Sequence, residues 1–277
     1  MAQPEHLAMI TNPSMTQQST PSTARHEKAT VQKDHDIVNK SYPFWQRFLE
    51  ITALSLCALS ISCFLLYLSL HVSLIYPARF RVLVSIPLAY LITDLLSGTI
   101  HWAMDNWGSD TAPFVAPFRR HHLHPEEITQ HDFVELNGNT CLVGLLATLL
   151  AWLSLLIPDT PWLATAVFLQ VTLVFGVLTN SIHAWAHTSK NELPKILRFA
   201  QESNIILNRR HHQEHHRAPH HKNYAITNGL TNGVCDRFGY YEFLGKIVTS
   251  ISGQQPRHKS ILEETIQKNS DSLASRP

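Results

Sequence analysis

The chain has 277 residues, with 22 Lys and Arg against 21 Asp and Glu for a net charge of +1, and it contains 18 histidines. That balance supplies no basic footprint for a nucleic-acid partner. The four cysteines, Cys57, Cys63, Cys141 and Cys235, form no CxxC pair and three lie in or beside apolar runs, so neither a disulfide framework nor a thiolate metal site is suggested and they read as small apolar filler.

Residues 1–43 are polar, rich in Ser, Thr and Gln, and lack an apolar run long enough for a signal-peptide core. They read as a disordered tail, and the acids Glu5, Glu27, Asp34 and Asp36 argue against an organelle transit peptide. From Ile51 to Tyr76 there is no acid, Lys or Arg. At about 1.5 Å per helical residue this run crosses a hydrocarbon core of roughly 30 Å. A second run begins at Val82, meets its first charge at Asp94 and ends in His101 and Trp102. The third and fourth, Cys141 to Ile157 and Pro161 to Ile182, are separated only by Pro158-Asp159-Thr160, which reads as a tight turn between antiparallel helices. The expected fold is all-α and integral to a membrane: four transmembrane helices with a cytoplasmic, histidine-rich helical cap over residues 44–257. A second disordered polar tail is expected over 258–277.

Basic residues orient the spans. Lys33, Lys40 and Arg47 precede the first, Arg119 and Arg120 lie between the second and third, and Lys190, Lys195, Arg198, Arg209 and Arg210 follow the fourth. By the positive-inside rule both termini are cytoplasmic, as in a multi-pass protein of a bacterial inner membrane or endoplasmic reticulum. Arg79 and Arg81, in the expected first external loop, count against that orientation.

Thirteen histidines fall between His101 and His221, and this topology sets all of them at one end of the bundle. His183-Ala-Trp-Ala-His187 puts two imidazoles one turn apart on one helical face, a metal-ligand spacing. His212-x-x-His215-His216 repeats the device. Zinc needs four ligands at most and has no use for so many imidazoles. Many nitrogen donors and few carboxylates point to two iron ions that share the electron demand of reducing O2. Soluble di-iron bundles use Glu-x-x-His pairs, which are missing here. Asp94 and Asp105 flank His101, and an acid near a membrane is costly unless it has a task. Both are expected to orient histidines through the outer ring nitrogen. Glu135, His211, Glu214 and His220 are further candidates for that supporting role. His71 reads as a packing residue, His6, His26, His35 and His258 as tail residues, and His124 and His221 as bystanders.

The strings Asp94-Leu-Leu-Ser-Gly-Thr-Ile-His-Trp-Ala-Met-Asp105, Phe118-Arg-Arg-His-His122, Ile128-Thr-Gln-His-Asp-Phe133 with Asn137-Gly138, His183-Ala-Trp-Ala-His187 and His211-His-Gln-Glu-His-His216 with Pro219-His220 occur in that order. In them the chain resembles the Kua-type lipid desaturases from about Asp94 to Arg257. The resemblance implies an O2-dependent oxidoreductase that desaturates a membrane phospholipid and takes electrons from an external donor protein of the cytochrome b5 or ferredoxin type. It carries His101, His121, His122, His131, His183, His187, His212, His215 and His216 over as iron ligands. Some motif segments look like the plasmanyl branch, which forms the vinyl ether of plasmalogens from plasmanyl phospholipid such as plasmanylethanolamine. Others look like the plant plastid branch, which desaturates an acyl chain of phosphatidylglycerol. Arg119, Arg120, Arg209 and Arg210 are candidates for the lipid head group. Lipid hydroxylation and a non-enzymatic metal-binding scaffold are the competing readings, and the oligomeric state is open.

Overall fold

The computed structural model describes residues 43–157 and 160–259. Both expected tails, apart from Pro43, His258 and Lys259, lie outside the described residues, as do Pro158 and Asp159 of the expected turn. Four long helices dominate: α1 (Phe44–Leu70), α2 (Val72–Asn106), α4 (Phe133–Ser154) and α5 (Thr160–His187). Between α2 and α4 lie α3 (Ala116–Leu123) and a 3-10 turn (Glu127–Gln130). After α5 come α6 (Lys195–Glu202), α7 (Arg209–His215), α8 (Asn232–Arg237) and α9 (Tyr240–Ser252). No strand occurs among the described residues. All four long helices contain windows long and apolar enough to cross a bilayer, where only structures that satisfy their own backbone groups can sit in lipid.

The spans turn large side chains outward and small ones inward. Glu50, Ala53, Cys57, Ser60 and Phe64 form the buried seam of α1, spaced alternately three and four residues apart as in a coiled-coil seam. Leu56, Leu59, Leu65 and Leu66 face out. Small seam residues let helices approach closely, which matters where lipid tails are as apolar as leucine. Here Cys57 packs with Cys141 and Leu173, and Ser60 Oγ accepts from Trp152 Nε1 at 2.9 Å and Gln170 Nε2 at 3.1 Å. Gly138 is needed in the same way, because a Cβ there would collide with the side chain of buried Glu50.

Two sequence expectations change. The first apolar run does not continue to Tyr76: α1 stops at Leu70, and after His71 a new helix starts at Val72. His71 folds back on the preceding turn, its backbone N–H and its ring both bonded to the Tyr67 carbonyl. Arg79 and Arg81 therefore sit inside α2 rather than in an external loop. Arg79 reaches back to the Tyr76 carbonyl at 2.7 Å and stacks on that ring, an interfacial arrangement for a cation at the end of a span.

The second change concerns the cap, which does not simply lie above the spans. Residues 224–229 are all buried and run beside the middle of the last turns of α2 and α5. Leu207 N–H donates to the Thr227 carbonyl, Thr227 meets Thr179 of α5 at 2.8 Å, and Ile226 N–H donates to Ser97. Irregular backbone at that level is tolerated only where protein supplies its hydrogen bonds. Asp94 is the supplier. Its Oδ1 accepts from the N–H groups of Asn228 and Gly229, at 2.8 and 2.9 Å, and its Oδ2 from the N–H and hydroxyl of Thr231, at 3.0 and 2.6 Å. Asp94 therefore holds a loop and makes no hydrogen bond to a histidine among the described residues, unlike the orienting role expected from its spacing to His101. Asp94→Asn presents an NH2 group to donors that need an acceptor. Such a loss costs about 2 kcal/mol, and we expect a melting temperature lower by several degrees in detergent; an unchanged melting curve would contradict this role.

Candidate di-metal centre

Eight histidines and one aspartate converge in two adjacent groups at the ends of α2 and α5. Group one is His121, His183, His187, His212 and His216; group two is His101, Asp105, His122 and His215. In each, one ligand atom per residue lies within 4.8 Å of all the others. The division follows from helical geometry. Helix α5 serves only the first group, through His183 and His187 one turn apart, and α2 serves only the second, through His101 and Asp105 at the same spacing. Helix α3, and α7 with its cap residue His216, serve both groups. Adjacent helical residues point about 100° apart, so the pair His121-His122 divides its rings between the groups, and so does His215-His216. The groups are neighbours: the rings of His122 and His216 are 4.9 Å apart, and those of His101 and His183 5.8 Å.

The contacts in group one call for a cation. The Nε2 of His212 lies 2.8 Å from that of His183, 2.7 Å from that of His187 and 3.0 Å from that of His216. One imidazole nitrogen offers a single proton or a single lone pair, so it cannot make three such hydrogen bonds. The buried Nε2 of His121 has no hydrogen-bond partner among the described residues. Burial, reinforced by neighbouring imidazoles, pushes the His121 pKa down to about 2 and holds those of His212 and His216 well below the usual histidine range. These rings are neutral near pH 7, with lone pairs available to a metal.

Group two is aimed from behind. His101 Nδ1 donates to the Tyr224 carbonyl at 3.0 Å, and His215 Nδ1 to the Lys222 carbonyl at 2.8 Å. Each bond fixes the proton on the outer nitrogen. Both Nε2 lone pairs then face the Oδ2 of Asp105, 3.5 and 3.4 Å away, and all three atoms are buried without a hydrogen-bond partner. His122 Nε2 approaches Asp105 Oδ1 at 3.1 Å. Lone pairs facing a carboxylate oxygen repel unless a cation sits among them, so the donor set fits a metal ion: three imidazoles and one carboxylate beside a site of five imidazoles. Both sets suit iron among the first-row metals.

His131 is brought to neither group; its ring is half-exposed and meets Glu135 Oε2 at 3.1 Å. His131→Ala should therefore keep its metal and most of its activity, and loss of both would contradict this placement. His220 packs against the His122 ring at 4.4 Å and bonds the His215 carbonyl at 3.1 Å, with its pKa lowered by burial to about 4. Glu214 accepts from Asn223 at 3.3 Å, and half-buried His211 lies near Gly229. His258, read as a tail residue, bonds Asn106 Oδ1 at 2.8 Å.

Of the four arginines, Arg119 is held by Asp110 and the carbonyls of Trp107 and Gly108. Arg120 forks onto Glu127 at 2.8 and 2.9 Å, and Arg209 donates to the Thr188 carbonyl at 2.6 Å. Arg210 is exposed. Sequence reasoning missed Tyr224 and Lys222, whose contribution is a backbone carbonyl and leaves no side-chain signal. It placed Asp105 behind the histidines rather than among them, although the i,i+4 spacing from His101 repeats that of His183 and His187.

Four apolar spans carrying two buried nitrogen-rich donor sets define a membrane metalloprotein. The chain belongs to the lipid desaturase family: the family model for the lipid desaturase domain matches residues 90–259, more than half of its length. It is 37% identical over 213 residues to plasmanylethanolamine desaturase 1 of Mus musculus, covering 71% of this chain and 77% of that protein. It is 32% identical over 251 residues to plasmanylethanolamine desaturase of Myxococcus xanthus, covering 86% and 85%. With the chloroplastic fatty acid desaturase 4 of Arabidopsis thaliana it shares 31% identity over 172 residues, 61% of this chain and 52% of that one. No solved structure matches. The protein is a membrane lipid desaturase, an oxidoreductase whose histidine clusters fit a di-iron site.

Proposed function

We propose that the chain holds two iron ions and desaturates a plasmanyl phospholipid next to the ether oxygen of its sn-1 chain, giving a vinyl ether. Bound there, iron would supply the redox chemistry; the overall reaction consumes O2, two electrons from a cytochrome b5 or ferredoxin type donor, two protons and two hydrogens from adjacent carbons, and leaves a double bond and two waters. The observation that carries the reading is the pair of adjacent buried donor sets. His121, His183, His187, His212 and His216 would hold one ion, and His101, Asp105, His122 and His215 the other. Tyr224 and Lys222 fix the ring tautomers that make His101 and His215 ligands.

Two features support this substrate. The relatives from Mus musculus and Myxococcus xanthus are both named for plasmanylethanolamine. The donor sets also lie at the ends of spans, with His187 the last residue of α5 and His101 little more than a turn before α2 ends at Asn106. A site at the end of a span meets lipid carbons near the head group rather than those at the bilayer centre, and the ether-linked carbons are such carbons. Exposed Arg210 is the cation best left to meet the head-group phosphate. With both termini cytoplasmic, the donor protein would approach this end of the bundle.

The test is reconstitution in vesicles containing plasmanylethanolamine lipid, with a reductase system and air. The expected product is two mass units lighter and loses its sn-1 chain as an aldehyde in mild acid. A product sixteen mass units heavier would make the protein a hydroxylase, and a new double bond in an ester-linked chain would make it an acyl desaturase.

A further inference from the structure

Helix α9 has three sides. Tyr241 and Gly245 are buried against the end of α2, where Tyr241 joins Trp102, Tyr224 and Cys235 in one core with Leu95 and Ala103 packed on it. Glu242 and Lys246 occupy a polar, exposed side. Between these, Phe243, Ile247 and Ile251 fall four residues apart on one stripe and are 61%, 40% and 83% exposed, with Phe238 leading into the helix at 77%. Such a stripe is an aggregation liability in water and needs a covering.

We infer that the bilayer covers it: α9 lies in the headgroup layer, with the Phe243–Ile247–Ile251 stripe reaching the acyl chains and Lys246 turned toward phosphate. The depth of its packing argues for lipid. Tyr240 Oη contacts Thr99 Oγ1 at 3.2 Å, and a Cβ on Gly98 would collide with Tyr241, so the helix starts beside residues inside the second apolar span. Leu96 and Ile100, next to those contacts along α2, are themselves 47% and 55% exposed on the surface that the span turns to lipid. An apolar face, a flanking polar face and an adjacent cation are also what an interfacial helix requires. The inference rests on the four membrane spans and not on which lipid is oxidised, so it stands or falls apart from the substrate.

The test uses the full chain in phosphatidylcholine–phosphatidylglycerol vesicles with exposed Cys63 replaced by Ser, which leaves Cys57, Cys141 and Cys235, all buried. Nitroxides are attached at Phe243→Cys, Ile247→Cys or, on the polar side of the same helix, Lys246→Cys. These positions are exposed, so folding is not at stake. At 243 and 247, collisions with O2 should exceed those with a water-soluble nickel chelate several-fold, and at 246 the order should reverse. Nickel collisions matching or exceeding those of O2 at 243 and 247 would overturn the assignment, placing the stripe in water. Exclusion of both reagents with dipolar broadening between labels would also overturn it, placing a second copy there.

Discussion

His212→Ala is expected to abolish desaturation and to lower bound iron to one ion per chain or fewer. The ring lies at the centre of group one, its Nε2 within 3.0 Å of the Nε2 atoms of His183, His187 and His216. It is fully buried, so no water-exposed side chain can swing in to replace it. Loss of a partner that merely orients a ligand costs 10–100-fold in affinity or activity, so loss of a ligand at the centre should cost at least about 100-fold. Metal analysis and lipid mass spectrometry of the same preparation provide the measurement. Full iron with undiminished product would remove His212 from the metal site. The cavity is not expected to unfold the chain, because α7 is also anchored by Asn208, whose side chain accepts from Arg210 N–H and donates to the Gln201 carbonyl.

Asp105→Asn is the second large effect. The side chain keeps its size but loses its charge, and one oxygen that faces the Nε2 atoms of His101 and His215 becomes an NH2 group in one of its two orientations. If the carboxylate is a ligand, iron in group two falls while group one, built only of imidazoles, retains its ion. Activity should fall by about 100-fold or more on the same reasoning, and the iron content should settle near half. Asp105→Glu, which restores the charge with one more methylene, should recover part of the metal and less of the activity, since the longer arm displaces the oxygen from the converging rings. Two irons retained in Asp105→Asn would return Asp105 to the supporting role that its sequence position first suggested.

Much of this architecture is legible in the sequence because lipid imposes a simple code. Uncharged runs of about 20 residues must be helices, and the four appear where the charges thin out. The break between α1 and α2 is legible as an event but not in position: the charges at Arg79 and Arg81 draw it there, whereas a single residue, His71, with apolar flanks makes it. The metal centre was legible as spacing: His183 with His187, and His212 with His215 and His216, mark faces of helices. Their division into two groups was not, because it depends on where α3 and α7 meet the ends of α2 and α5, and each His-His pair gives one ring to each group. His131 illustrates the converse, a histidine within a family motif that the fold sends to Glu135. Asp94 and Asp105 look alike in sequence, two acids within seven residues of His101. Only the returning segment at 224–231 separates them, drawing four hydrogen bonds onto Asp94 and leaving Asp105 to the imidazoles.

Whether one chain carries two iron ions in unlike surroundings is read by Mössbauer spectroscopy of the reduced protein, purified from cells grown on 57Fe. Two ferrous quadrupole doublets of equal area and different parameters, amounting to two irons per chain, are the predicted result, with one doublet lost in Asp105→Asn. A single iron per chain, or a protein that retains zinc instead of iron, would rule out a di-iron centre built from these two donor sets.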